Sequence, residues 1–135
     1  MRSLVLLPGF MCDATLWSDM EADLAKLGDV RHGNVYDDDS LDGMARRVLD
    51  ESPDRFVLVG FSMGGFVARV LALMAPERVT GVAFIASSAR GYSPQENAQR
   101  QAAAAGAKVV RTSTRGIARG LHPDRESDPV LIGRL

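Results

Sequence analysis

The run Arg55-Phe56-Val57-Leu58-Val59-Gly60-Phe61-Ser62-Met63-Gly64-Gly65 constrains this chain more than any other part of it. A short, continuous apolar stretch of this kind reads as a strand buried on both faces. G-x-S-x-G follows it at once, and a helix is predicted from about Met63 to Met74, with Pro76 after it. Ser62 therefore sits in a tight turn between strand and helix. Such a turn holds the serine backbone strained and pushes Oγ out above the strand ends. Gly60 and Gly64 are required because strand and helix approach too closely there for a side chain, and Gly65 adds further close packing. The helix N-terminus places positive partial charge where an oxyanion would form, and the amide of Met63 is a candidate donor to it. No Gly-Lys-Ser/Thr and no G-x-G-x-x-G occurs in this run, so a phosphate-binding reading is weaker.

The rest of the chain repeats the alternation. Leu4 to Leu7 is a second buried-strand run, stopped by Pro8-Gly9. A helix is predicted next, with Asp13 as N-cap, apolar positions Leu16, Trp17, Met20, Leu24 and Leu27, and Gly28 as its end. Val30 to Val35 is a weaker strand. Ser40 caps a helix carrying Leu41, Met44, Val48 and Leu49, which Pro53 ends. Val79 to Ala86 is a third apolar run. The order β-α-β-α-β-α-β predicts an α/β fold, a parallel sheet with helices on both faces.

The character changes after Ala86. Ser93-Pro94-Gln95-Glu96 is a capping box with proline at the first helical position, and an alanine-rich helix follows to about Ala105. Residues 106–120 read as short helices and Leu121-His122-Pro123-Asp124 as a loop. Asp128-Pro129 reads as a helix start, yet the sequence stops at Leu135. That pattern predicts a chain cut short.

Composition excludes several classes. A net charge of −1 leaves no electrostatic footprint for nucleic acid or anionic lipid. The N-terminal apolar run is too short for a signal-peptide core, and nothing approaches the roughly 18 residues of a membrane span. Cys12 is the only cysteine, so no intrachain disulfide and no thiolate cluster can form, and a reducing cytoplasm is the expected compartment. Cys12 is expected to be a small buried side chain. Asp37-Asp38-Asp39 reads as a solvated loop before a helix rather than a metal site. Trp17 and the methionines at helical spacing read as core.

Two segments carry a family resemblance: Leu4-Val5-Leu6-Leu7-Pro8-Gly9-Phe10-Met11-Cys12-Asp13-Ala14-Thr15-Leu16-Trp17, and Val57-Leu58-Val59-Gly60-Phe61-Ser62-Met63-Gly64-Gly65. Together they resemble the N-terminal part of an α/β-hydrolase fold protein of the small bacterial carboxylesterase branch that includes the pimeloyl-carrier-protein methyl esterases. The resemblance continues through Ala75-Pro76-Glu77-Arg78-Val79. It implies an ester or related acyl substrate, Ser62 as nucleophile, and the amides of Met63 and Phe10 as oxyanion donors. It implies no cofactor and no metal. The family more often has His-Gly where this chain has Pro8-Gly9. Because the donor is a backbone group, that departure need not harm catalysis. Residues 1–87 then read as a partial core, truncated after its fourth strand, and residues 88–135 as part of a helical cap. Phe10, Met11, Met63 and Phe66 lie near the turn, and some of them, Met11 and Phe66 foremost, are expected to line an apolar acyl pocket.

A serine hydroxyl is a weak nucleophile and needs a base. In this fold the triad runs Ser, then Asp or Glu, then His. Only His122 follows Ser62, in a loop with no strand before it, and Asp124, Glu126 and Asp128 read as solvated or capping residues. His32 precedes the serine and reads as structural or partly exposed. The acid and base are therefore expected outside this sequence. The alternative is a catalytically inactive fragment that serves as a binding module. With strands ordered second, first, third, fourth, the run from Val79 to Ala86 becomes an exposed apolar edge and a predicted site of self-association.

Overall fold

The computed structural model of the chain describes residues 2–106. The chain divides into two compact units, Met1–Gly91 and Tyr92–Leu135.

In the first unit, β1 (Ser3–Leu7), β2 (Asp29–His32), β3 (Phe56–Phe61) and β4 (Val79–Ile85) form one parallel sheet in the order β2-β1-β3-β4. The apolar runs become its strands because alternate side chains feed two different cores. Val5, Leu7, Phe56 and Leu58 point to one face. There they meet Ala45 and Val48 of α2 (Leu41–Glu51) and Val67, Ala68 and Leu71 of α3 (Met63–Met74). Leu4, Leu6 and Val59 point to the other face and meet Trp17. The predicted α/β sheet with helices on both faces is what the chain forms.

Three local expectations change. The helix predicted from Asp13 to Gly28 is two short pieces, a 3-10 turn over Ala14–Trp17 and α1 (Glu21–Leu24). The break lies at Ser18, whose hydroxyl and amide both bond the Thr15 carbonyl, so the side chain competes with continued helix. Trp17 is buried as expected, but Met20 and Leu27 are exposed. The strand expected over Val30–Val35 ends at His32, and Val35 leaves the sheet to enter the core against α2 and α3. Cys12 is partly exposed rather than buried.

The sheet register between β3 and β4 shifts at Phe56/Val57. Thr80 is the extra residue, and its hydroxyl donates to the Phe56 carbonyl at 3.0 Å. Asp38, in the acidic run before α2, pairs with Arg47 at 2.6 Å, and Ser40 caps α2 through the Gly43 amide.

In the second unit, the capping box opens α4 (Pro94–Gly106) as predicted. The Ser93 amide donates to Glu96 at 2.7 Å, and the Glu96 amide donates back to the Ser93 hydroxyl at 3.2 Å. The Arg100 guanidinium lies over the Tyr92 ring, 4.0 Å from its centre. Among the described residues, no helix is long and apolar enough to cross a membrane.

Candidate active site

Parallel strands bring all their C-terminal ends to one edge, the edge at which open α/β sheets hold their ligands. Here β1 runs into Pro8–Cys12, β3 into Ser62, and β4 into Ala86 and Ser87.

Ser62 is the junction of β3 and α3. Its backbone sits at φ 50 and ψ −115, a left-handed conformation that side chains disfavour. Strain of this kind costs about 1–3 kcal/mol and persists only where surrounding contacts hold it. Those contacts are visible. The Ser62 amide donates to the Ile85 carbonyl at 2.9 Å, extending the β3–β4 ladder to the serine itself. The glycines on either side permit the approach. A Cβ on Gly60 would lie 2.6 Å from the Gly64 oxygen and from the Gly65 Cα. A Cβ on Gly64 would run into the Leu7 carbonyl. The Ser62 side chain makes no capping bond to α3, and α3 has no acidic residue in its first turn. Its hydroxyl is therefore not consumed as a cap at the positive end of a 12-residue helix. Met63, the first residue of that helix, has an amide with no intrahelical acceptor.

The loop after β1 closes on the same point. A Cβ on Gly9 would lie 3.3 Å from the Ser62 Cβ. Cys12 donates its amide to the Gly9 carbonyl at 3.1 Å, closing a turn in which Met11 takes φ 58. Phe10 and Met11 are 65% and 62% exposed, an unusual cost for large apolar side chains at a strand end. Phe66 is half-buried in the first turn of α3, and Met63 packs against the core beneath it. Tyr36, beyond the end of β2, has its phenol pKa raised by burial, with the nearby Asp13 and Cys12 charges adding to the effect. Asp13 is held below the ordinary aspartate range by the Thr15 hydroxyl and amide.

The residues read from the sequence are thus brought together in part. Gly60, Ser62, Met63, Gly64 and the Gly9–Phe10 loop meet at one point. His32 does not join them. It lies on β2, two strand spacings of about 4.8 Å each from β3, and bonds Glu21 at 3.1 Å. His122, Asp124, Glu126 and Asp128 lie outside the described residues. One participant was missed. The Ser87 hydroxyl donates to the Ser62 carbonyl at 2.7 Å. Nothing in the sequence marks Ser87, because the contact spans the β3–β4 crossover. Among the described residues, no group of three or more His, Cys, Asp and Glu side chains could hold a metal ion.

A family model described as the alpha/beta hydrolase fold matches residues 4–115. The chain belongs to the α/β-hydrolase fold family. As an α/β hydrolase it is 38% identical over 93 residues to the pimeloyl-[acyl-carrier protein] methyl ester esterase of Klebsiella pneumoniae strain 342, covering 63% of this chain and 36% of that protein. It is 36% identical over 95 residues to the enzyme of the same name from Photobacterium profundum. The chain thus spans little more than a third of the length of these curated relatives. Among solved structures, a thermophilic esterase from Thermogutta terrifontis superposes with a TM-score of 0.70 at 23% identity, over 99% of this chain and 56% of that one. A hydrolase from Pseudomonas aeruginosa superposes with a TM-score of 0.71 at 20% identity, over 98% of this chain and 56% of that one. Both of these show the same fold.

Proposed function

We propose that this α/β hydrolase is a serine esterase and that the chain carries the nucleophile half of its active site. Ser62 Oγ attacks the ester carbonyl and loses its proton to a histidine. The tetrahedral oxyanion is held by the amides of Met63 and Phe10. Collapse expels the alcohol with that proton and leaves an acyl group on Ser62, which water then removes. The acid and the base follow Ser62 in chain order, and we place them beyond Leu135 in a longer protein. The coverage of 36% of the Klebsiella relative supports that placement. By family resemblance we assign residues 88–135 to the start of a helical cap region.

The observation that carries this reading is the left-handed backbone of Ser62 between glycines that admit no Cβ. The Ser62 side chain makes no capping bond to the helix it opens. The exposed Phe10 and Met11 beside it suit the acyl part of a substrate better than a sugar or nucleotide. The likeness to methyl ester esterases supports an ester and weighs against a non-catalytic binding module. We also infer a cytoplasmic location from the single free thiol, and self-association through β4.

A fluorophosphonate probe tests the nucleophile in the enzyme expressed from its whole coding sequence. Labelling is expected on Ser62 and is lost in Ser62→Ala. Ester turnover that survives Ser62→Ala would overturn the reading.

A further inference from the structure

We propose that Ser87 is a positioning residue for catalysis: its hydroxyl aims the Met63 amide, one half of the oxyanion hole, by holding the carbonyl of Ser62. This rests on the reading of Ser62 as the nucleophile.

The peptide unit between Ser62 and Met63 is planar and trans, so the Ser62 carbonyl and the Met63 N–H point in opposite directions from one rigid plate. Whatever fixes the carbonyl fixes the amide. Two donors grip that carbonyl. The Gly65 amide reaches it at 3.0 Å from within α3, and the Ser87 hydroxyl at 2.7 Å from the end of β4. The first is a turn-type bond of the helix start. It already satisfies the carbonyl, so the hydroxyl is not needed merely to avoid an unpaired buried acceptor. What Ser87 adds is a second direction of restraint, from an element outside the helix.

Ser87 is held in place for this. Ala86 before it takes φ 47, a left-handed conformation for a residue with a Cβ. That turn swings the chain from the β4 ladder under α3. The Ser87 side chain then occupies the notch left by Gly65, where any added Cβ would collide with it. The segment Ile85–Ser87 thus holds both ends of the Ser62 backbone: Ile85 accepts from its amide and Ser87 donates to its carbonyl. The strained Ser62 is thus tied by two hydrogen bonds to the residues on either side of the strained Ala86. An oxyanion donor contributes only when its N–H is already aimed at the developing charge. A loosened plate lets that amide swing while leaving the substrate's other contacts intact.

The test compares wild type with Ser87→Ala and Ser87→Cys in the enzyme expressed from its whole coding sequence, with a p-nitrophenyl ester as substrate. Ser87→Ala is expected to lower kcat by about tenfold or more, below the full loss of an oxyanion donor, with KM changed by less than about twofold. Affinity for a trifluoromethyl ketone, which forms the tetrahedral adduct, falls in step with kcat/KM. Ser87→Cys keeps a weak donor of similar shape and is expected to fall between the two. It also serves as the reading variant if Ser87→Ala does not fold. Unchanged kcat and ketone affinity overturn the proposal, and so does a loss of activity that only tracks the fraction of folded protein. Ser62→Ala separates the two claims. An inactive Ser62→Ala beside an unaltered Ser87→Ala overturns the positioning role alone, whereas an active Ser62→Ala overturns the nucleophile itself.

Discussion

Gly64 is the residue at which the strand-to-helix turn has least freedom. Its Cα faces the backbone of β1, with the Pro8 oxygen 2.6 Å from any added Cβ and the Leu7 carbonyl closer still. Backbone cannot rotate away as a side chain can. Gly64→Ala is therefore expected to destabilise the fold by about 2–3 kcal/mol, read as a lower urea midpoint. An unchanged midpoint would count against this close contact of α3 with β1. Ala86 predicts the opposite sign. A left-handed residue with a Cβ is disfavoured by about 1–2 kcal/mol. Glycine relieves that but adds roughly 0.4–1 kcal/mol of unfolded-state entropy. Ala86→Gly should therefore raise the melting temperature by a few degrees, measured calorimetrically. The close approach at Gly64 was legible in the sequence because G-x-S-x-G ties it to a local turn. The strain at Ala86 was not, because an alanine carries no mark of its φ.

At the scale of elements, the 3-10 turn over Ala14–Trp17 depends on one carboxylate. Asp13 accepts from the Thr15 amide and hydroxyl and is held below the ordinary aspartate pKa by those bonds. A depressed carboxylate contributes stability that is complete above its unfolded value and lost as pH falls through its folded value. Acidification is thus expected to loosen the turn that seats Trp17 against Leu4, Leu6 and Val59. The check is Trp17 fluorescence during acid titration, with the low-pH transition absent in Asp13→Ala. The second cap is α4's. Ser93→Ala removes one of two reciprocal bonds and should cost about 1 kcal/mol of helix stability, seen as reduced far-ultraviolet helical signal on mild heating. Both caps were readable in advance, since an N-cap acts over three residues. The break at Ser18 was not, because the spacing from Leu16 to Leu27 satisfies one helix as well as two short pieces. The Ser18 hydroxyl, bonded to the Thr15 carbonyl, decides between them.

For the whole molecule, the telling element is β4. It pairs with β3 on one side, and among the described residues no strand takes its other edge. Its sequence from Val79 to Ile85 has no charge and no proline, and Phe84 and Ile85 are 36% and 39% exposed. Edges of this kind recruit further strands. The chain is expected to self-associate through β4, with Ala83→Lys shifting it toward monomer in light scattering and leaving the melting temperature nearly unchanged. An equally associated Ala83→Lys would place the contact elsewhere.

The order of strands and helices, the strained turn at Ser62 and the glycines around it were all legible along the chain. Apolar runs, helical spacing and cap residues act within one turn or one strand, so they can be read without knowing what packs where. Three features emerge only when the segments pack: His32 stands apart from Ser62, Val35 leaves the sheet for the core, and Ser87 grips the serine carbonyl from 25 residues away. Each of these depends on the register between strands brought together by crossovers. That register is set by how two faces of one sheet share their side chains between two cores, which no single segment encodes.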